Sequence, residues 1–175
     1  MYEQTKSLVG IDNVSNIYWL GTRPKVTLAV VSCPRGDEKL KSDLDELKSS
    51  GIDTVVSLLE KDEAAWMGLA DEGPLAEDLG MNFISFPIPD ANVPPDQPKF
   101  HALVAALASR VNAGEAIGVH CRGCIGRSTV LAACTLIQIG FTADSSLAAL
   151  QAARGCAIPD TLEQERFILH FRPEM

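Results

Sequence analysis

The sequence has little positive charge, with 15 Lys and Arg residues against 23 Asp and Glu residues and a formal net charge of −8. Nucleic acids and anionic membrane surfaces are bound by basic surfaces, so this charge balance argues against both kinds of partner. Local charge can oppose the total, however. An anionic substrate would therefore need a cationic pocket of its own.

Long apolar runs are also missing. No stretch approaches the roughly 18 uninterrupted apolar residues that a membrane-spanning helix needs. The first ten residues, MYEQTKSLVG, lack the basic segment and the apolar run of a secretory signal. We therefore expect a cytoplasmic protein without membrane insertion.

Clusters of metal-ligating residues are absent from the sequence. It has three histidines, and apart from one C-x-x-C pair no group of His, Cys and Asp has ligand spacing, so we expect neither a metal site nor a cofactor. The cysteines are odd in number and lie mostly in apolar segments, which is typical of reduced thiols rather than of a disulfide framework. They are Cys33, Cys121, Cys124, Cys134 and Cys156.

The apolar pattern predicts the fold class. Short apolar runs alternate with segments of helical period, which indicates an α/β domain with a central, mostly parallel sheet flanked by helices. We expect a single domain over 1–175 with its core at about 15–172, since 175 residues suffice for one core. The predicted strands are 17–20 and 26–31, as an edge pair, and 54–59, 82–86 and 116–120. The predicted helices are 37–49, 62–79 with an interruption near Gly73-Pro74, 97–113, 127–139, 143–154 and 160–171. Four prolines make 87–96 an irregular loop.

Residues 116–137, AIGVHCRGCIGRSTVLAACTLI, join a short buried strand, a glycine-bearing loop and an apolar helix. Loop amides and the unpaired amides of a helix N-terminus bind anions. At the start of this loop they would favour the thiolate of Cys121, helped by the charge of Arg127. Arg127 can present its fork to two phosphate oxygens, and the Ser128 hydroxyl can hydrogen-bond the thiolate. The residues expected to bind the substrate phosphate are Arg122, Gly123, Cys124, Ile125, Gly126 and Arg127.

The spacing of His120, Cys121, Arg127 and Ser128 is H-C-x5-R-S. It resembles the signature of protein tyrosine phosphatases, particularly the small dual-specificity branch, and the resemblance extends over about 15–172. It implies the phosphatase fold, with the cysteine loop between a strand and a helix N-terminus. It also implies a phosphoric monoester hydrolase that works through a phosphocysteine at Cys121.

Cleavage of a phosphate ester by a thiolate needs a proton for the leaving oxygen. The candidate donor is Asp90, because this family carries its general acid on a loop upstream of the cysteine. The segment FPIPD, which ends at Asp90, resembles kinase-associated dual-specificity phosphatases and related bacterial proteins. A turn-forming aspartate is the alternative interpretation. Asp96, the nearest rival, is expected to be the N-cap of the next helix.

Two supporting residues are implied by the same resemblance. Gln164, at the end of RGCAIPDTLEQ, would lie near the site and position the hydrolytic water; the alternative is an exposed helix residue. His120 would stabilise the thiolate through the backbone beside the loop, and it could equally be a structural residue at the end of a strand. His101 and His170 are interpreted as structural.

Two loop residues bear on regulation and substrate. Cys124 departs from the family pattern, in which this position is small or apolar. It could capture a sulfenic acid formed on Cys121, or it could pack outward while its amide serves the phosphate. Arg122 is the one charged variable residue of the loop, which is weak support for phosphoinositides, so phosphoproteins rank above lipids and inositol phosphates.

Three functions stay open at this point. The first is a phosphatase acting on phosphotyrosine or phosphoserine/threonine proteins or on a small phosphomonoester. The second is a thiol–disulfide oxidoreductase using Cys121 and Cys124, which would leave Arg127 and Ser128 without a task. The third is a phospho-binding module without turnover. The presence of the nucleophile Cys121, the phosphate binder Arg127 and the candidate acid Asp90 together argues against it.

Overall fold

The computed structural model describes residues 16–21 and 26–173. The first fifteen residues, over which we expect no secretory signal, lie outside these ranges. Within the described ranges the strands are β1 (Ile17–Trp19), β2 (Leu28–Val31), β3 (Thr54–Ser57), β4 (Asn82–Ser85) and β5 (Ile117–His120). They form one five-stranded sheet in the order β1-β2-β5-β3-β4.

Only the outer pair of the sheet is antiparallel. Tyr18 of β1 lies opposite Val30 of β2, whereas β2, β5, β3 and β4 run parallel to one another. The predicted edge pair and the mostly parallel sheet are confirmed. The central strand β5 is fully buried and lies between β2 and β3, which run parallel to it. The loop after β5 therefore lies at the carboxyl-terminal edge of the parallel strands.

Helices cover both faces of the sheet. The helices are α1 (Leu40–Ser49), which follows a 3-10 turn, α2 (Lys61–Trp66), α3 (Glu72–Asp78), α4 (Gln97–Asn112), α5 (Arg127–Gln138), α6 (Ala143–Arg154) and α7 (Leu162–His170). On one face α1 and α3 pack against Ala29, Val31 and Val55. On the other face, α4 to α7 pack against Leu28, Val30, Val56 and Val119. In the described ranges no helix is long and apolar enough to cross a membrane.

The predicted helix 62–79 differs from the structure at its interruption. The chain breaks over 67–71, where Gly68 has φ of +72°, rather than at Gly73-Pro74. Gly73 and Pro74 lie in the first turn of α3, where the amide that proline lacks has no intrahelical partner anyway. Two short helices result, and each directs one glutamate towards the loop after β5.

The remaining elements agree with the predicted ones to within a few residues. The segment 87–96 is irregular, as predicted. Asp96 caps α4, accepting a hydrogen bond from the Lys99 amide at 3.1 Å, so its predicted role as an N-cap is confirmed.

Candidate active site

The loop between β5 and α5 folds around the sulfur of Cys121. The amide of Cys124 donates a hydrogen bond to Cys121 Sγ at 3.2 Å, and the Ser128 hydroxyl lies 3.5 Å from the same sulfur. Cys124 has φ of +55°, a left-handed conformation that is typical of a backbone nest around an anion. Cys121 itself is 2% exposed. The arrangement places donors around the position of a negative charge on sulfur.

The pKa of Cys121 is lowered to about 5. Hydrogen bonding with Cys124 contributes most, burial opposes it, and Ser128 and the charge of Arg127 lower the pKa further. At neutral pH the group is therefore a thiolate, which is the nucleophilic form of cysteine.

Arg127 is the first residue of α5, and its guanidinium is almost fully buried. Nη1 and Nη2 donate to the two carboxylate oxygens of Glu63 on α2 at 2.6 and 3.0 Å. Nη1 also donates to the carbonyl of Ile88 at 2.9 Å. The Arg127 hydrogen bond holds the pKa of Glu63 below its ordinary value, against the effect of burial. This two-point contact fixes the direction of the guanidinium and keeps both groups charged.

Asp90 reaches the loop from the irregular segment 87–96. Its Oδ1 lies 3.0 Å from Arg127 Nη2, and its Oδ2 accepts a hydrogen bond from Arg122. The Asp90 side chain is 45% exposed, so it is accessible from the mouth of the site. The structure thus brings the predicted general acid and the predicted nucleophile to one cavity of about 190 Å³.

The other loop residues differ in how closely they are packed and in whether they line this cavity. Gly126 is required by close approach, because a Cβ there would lie 2.9 Å from the Gln164 side chain, whereas a Cβ on Gly123 would meet only Ile125 at 3.6 Å. Ser128 is buried behind the loop. The loop residues that line the cavity are Cys121, Arg122, Gly123, Ile125, Gly126 and Arg127.

Cys124 does not pack outward, so that expectation is wrong. Its Sγ lies 3.2 Å from the carbonyl oxygen of Cys121, and the side chain is 2% exposed within the core on the α5 side of the sheet. The left-handed backbone turns its amide to Cys121 Sγ while the side chain folds beneath the loop. Hydrogen bonding with Cys121 and burial raise the pKa of Cys124 well above its ordinary value.

Gln164 is fully buried, so its interpretation as an exposed helix residue is wrong. It lies on α7, where its Nε2 donates to the carbonyl of Asn92 at 3.0 Å and its Oε1 accepts from the Thr161 amide at 3.2 Å. The side chain lines the same cavity as Cys121. It therefore ties α7 to the segment that carries Asp90.

Comparison with known proteins shows the family to which the chain belongs. The model of the Swiss Army Knife protein, DSP-PTPase phosphatase domain family matches residues 17–166. The chain belongs to this family. The predicted membership of the dual-specificity branch and the predicted phosphatase fold are therefore confirmed.

Individual relatives are more distant. The rat cyclin-dependent kinase inhibitor 3 is 27% identical over 138 residues, which are 78% of this chain and 65% of the rat protein. A crystal structure of kinase-associated phosphatase with its catalytic-site cysteine replaced by serine has a TM-score of 0.73 at 22% identity, covering 81% of this chain and 83% of that one. The structure of PTPMT1 in complex with PI(5)P has a TM-score of 0.66 at 17% identity, covering 81% and 88%. At these identities the two structures share the fold with this phosphatase domain.

Two residues of this phosphatase domain that sequence reasoning missed are Glu63 and Glu72. Glu72 on α3 is 1% exposed, and its Oε1 lies 2.7 Å from Nε2 of the fully buried His120. The other ring nitrogen of His120 lies 3.4 Å from the carbonyl of Cys121. Burial alone would lower the pKa of His120, but Glu72 and Cys33 raise it to about 10. A buried imidazolium–carboxylate pair therefore supports the start of the cysteine loop.

We expect Glu72→Leu to destabilise the fold by about 3–5 kcal/mol, because it leaves His120 buried without its counter-charge. Leucine has a similar volume, so the loss reflects the charge and not a cavity. Urea unfolding at pH 7 measures the change, with Glu77→Leu as the matched control, since Glu77 is exposed on the same helix. Equal midpoints for the two variants would contradict the importance of the pair.

Proposed function

We propose that this protein hydrolyses phosphate monoesters through a phosphocysteine intermediate at Cys121, and that its substrates are proteins phosphorylated on tyrosine or on serine and threonine. The observation that carries the proposal is the meeting of a low-pKa thiol, a fixed guanidinium and an accessible carboxylate in one cavity. Membership of the dual-specificity phosphatase family supports the same reaction class.

The first half of the reaction follows from the charges in the cavity. The Cys121 thiolate attacks phosphorus, and the bond between phosphorus and the leaving oxygen breaks. Arg127 and the loop amides hold the equatorial oxygens, where negative charge develops. Before the chemical step the substrate phosphate must replace the Asp90 carboxylate on Nη2 of Arg127, and Asp90 takes up a proton from solvent as it leaves this guanidinium. Asp90 then gives this proton to the leaving oxygen and becomes a carboxylate held by Arg122.

The second half returns the enzyme to its starting state. Asp90 takes a proton from a water molecule, and the water oxygen bonds to phosphorus as the bond from phosphorus to sulfur breaks. Phosphate leaves and Cys121 becomes a thiolate again, to which the Ser128 hydroxyl donates a hydrogen bond. Gln164 also lines this cavity, and we assign it the positioning of this water.

Hydrolysis of a generic aryl phosphate in the presence of a chelator tests the function. We expect turnover without added metal. We also expect kcat/KM to fall as the pH drops through about 5, because protonation of Cys121 removes the nucleophile. A fully reduced protein without turnover would contradict the proposal. Binding of a phosphopeptide without product would then favour the phospho-binding module.

The choice of phosphoproteins over phosphoinositides depends on the relatives and on Arg122. As the one charged variable residue of the loop, Arg122 gives only weak support for phosphoinositides. Kinase-associated phosphatase carries a partner protein in its name, which favours phosphoproteins, although the chain spans only 65% of the length of the rat relative. PTPMT1 in complex with PI(5)P represents the alternative, a phosphoinositide or an inositol phosphate. We also place the protein in the cytoplasm, since a thiolate nucleophile persists in a reducing compartment.

We expect Asp90→Asn to slow hydrolysis of phosphates with poor leaving groups by roughly 10²–10⁴-fold, because the leaving oxygen then departs without a proton. The loss should be much smaller for an activated aryl phosphate, whose leaving group needs no proton. The measurement is the dependence of kcat/KM on the pKa of the leaving group. Asp96→Asn is the matched control, because asparagine caps a helix as well as aspartate does. A loss that is the same for all leaving groups would contradict the role of Asp90.

A further inference from the structure

The mouth of the proposed phosphate site carries a second carboxylate, Asp160, on the turn between α6 and α7. Asp160 lines the same cavity as Cys121 and is exposed. Its Cβ lies 3.0 Å from the position that a Cβ on Gly126 would occupy, so it stands directly against the cysteine loop. A charge at this position faces whatever is attached to the bound phosphate.

Asp160 differs from the other carboxylates near the site in its charge partners. Glu63 pairs with Arg127, and Asp90 pairs with both Arg122 and Arg127. Within residues 16–21 and 26–173, no salt bridge is formed by Asp160. Its charge is therefore available to the substrate.

The two arginines of the cavity, by contrast, are already engaged. Arg127 holds Glu63 and is the proposed partner of the reacting phosphate. Arg122 holds Asp90, and its Nη1 lies 3.8 Å from Glu63. The cavity lining carries two carboxylates and two guanidiniums, and the Cys121 thiolate adds a further negative charge. Among the described residues that line the cavity, one guanidinium and the loop amides are available to one phosphate, and no further cation is available to a second.

We propose that Asp160 selects phosphoprotein segments with a basic residue beside the phosphorylated residue, and that it disfavours substrates with a second phosphate nearby. This inference rests on the proposed phosphatase activity and names the substrate class of the same site. A lysine or arginine of the substrate would pair with Asp160, whereas a second phosphate would meet a like charge there.

The expected preference is moderate because the pair is exposed to solvent. Exposed ion pairs correspond to a factor of about two to five in kcat/KM, and the factor shrinks with salt as the Debye length falls from about 10 Å at 0.1 M to about 3 Å at 1 M. A preference caused by shape would not respond to salt. The salt response therefore separates charge from fit.

The test uses phosphopeptides of one sequence with Lys, Ala or Glu on either side of the phosphorylated residue, and a soluble inositol bisphosphate. We expect the lysine peptide to exceed the alanine peptide by about two- to fivefold, and the glutamate peptide to fall below it by a similar factor. Asp160→Asn should remove this order and Asp160→Lys should invert it. Each preference is a ratio measured on one protein, so a change in overall activity cancels.

Asp144→Asn is the control, since Asp144 is exposed at the start of α6 and does not line the cavity. It should keep the wild-type order of peptides. An order that Asp160→Asn leaves intact, or an inositol bisphosphate that wild type prefers to the lysine peptide, would overturn the inference while aryl phosphate turnover persists. Absence of aryl phosphate turnover by wild type would overturn the proposed function, and the inference with it.

Discussion

Replacing Cys121 with serine is expected to reduce hydrolysis of an aryl phosphate by about 10⁵–10⁶-fold, the loss typical of removing an enzyme nucleophile. The surroundings of Cys121 act on its charge: they lower its pKa to about 5, so that the sulfur is ionised at neutral pH. A serine hydroxyl is not ionised under these conditions. It would therefore sit among the same donors as a poor nucleophile.

The same variant should still bind phosphate, because Arg127 and the loop amides are unchanged. Inhibition of the wild type by inorganic phosphate and calorimetric titration of the serine variant should give similar dissociation constants. The control is Cys156→Ser, since Cys156 is an exposed free cysteine that does not line the cavity. If Cys121→Ser retained the activity of the control, Cys121 would not be the nucleophile and the proposed phosphocysteine mechanism would be wrong.

Replacing Arg127 with lysine is the second large change, and we expect a loss of roughly 10³–10⁴-fold in kcat. Lysine keeps the positive charge but has no planar fork, so it is unable to hold two phosphate oxygens and Glu63 at once. The guanidinium now donates to both oxygens of Glu63 and to the carbonyl of Ile88. A single ammonium would leave some of these buried acceptors unsatisfied, so the variant should also unfold at lower urea concentration.

Arg110→Lys is the matched control for this variant. Arg110 pairs with Glu115 at the amino-terminal edge of the parallel strands and does not line the cavity. Its replacement should leave both kcat and the affinity for phosphate near the wild-type values. Equal kcat values for Arg127→Lys and Arg110→Lys would show that charge alone suffices at position 127, and the two-point contact would then have no catalytic role.

The part of the site within 120–128 was predictable because it depends on contacts between near neighbours. A strand, a tight loop and a helix N-terminus bring Cys121, Arg127 and Ser128 together over eight residues, and this distance leaves the chain few alternatives. The role of Asp90 as the general acid is predicted from the family resemblance of the proline-containing segment that carries it. The structure places its carboxylate 3.0 Å from Arg127, a distance that the sequence pattern does not contain.

The break of helix 62–79 shows where pattern reasoning failed. Glycine and proline end a helix in its interior but are tolerated in the first turn, so their meaning depends on where the next helix begins. The position of α3 follows from its packing against β4 and α1. That packing joins segments that are distant in sequence, so the pattern of neighbouring residues does not predict it.

By itself the sequence determined the fold class, the succession of strands and helices along the chain, and the grouping of Cys121, Arg127 and Ser128 at one loop, because these follow from local periodicity and short-range geometry. The tertiary structure alone decided that Glu63 and Glu72 support the site. Both look like ordinary residues of polar helix faces, yet both are buried beside the cysteine loop, and burial also decided between the two interpretations of Gln164. The partners of the two glutamates are distant in sequence, Arg127 for Glu63 and His120 for Glu72, so these contacts form only when separate segments meet.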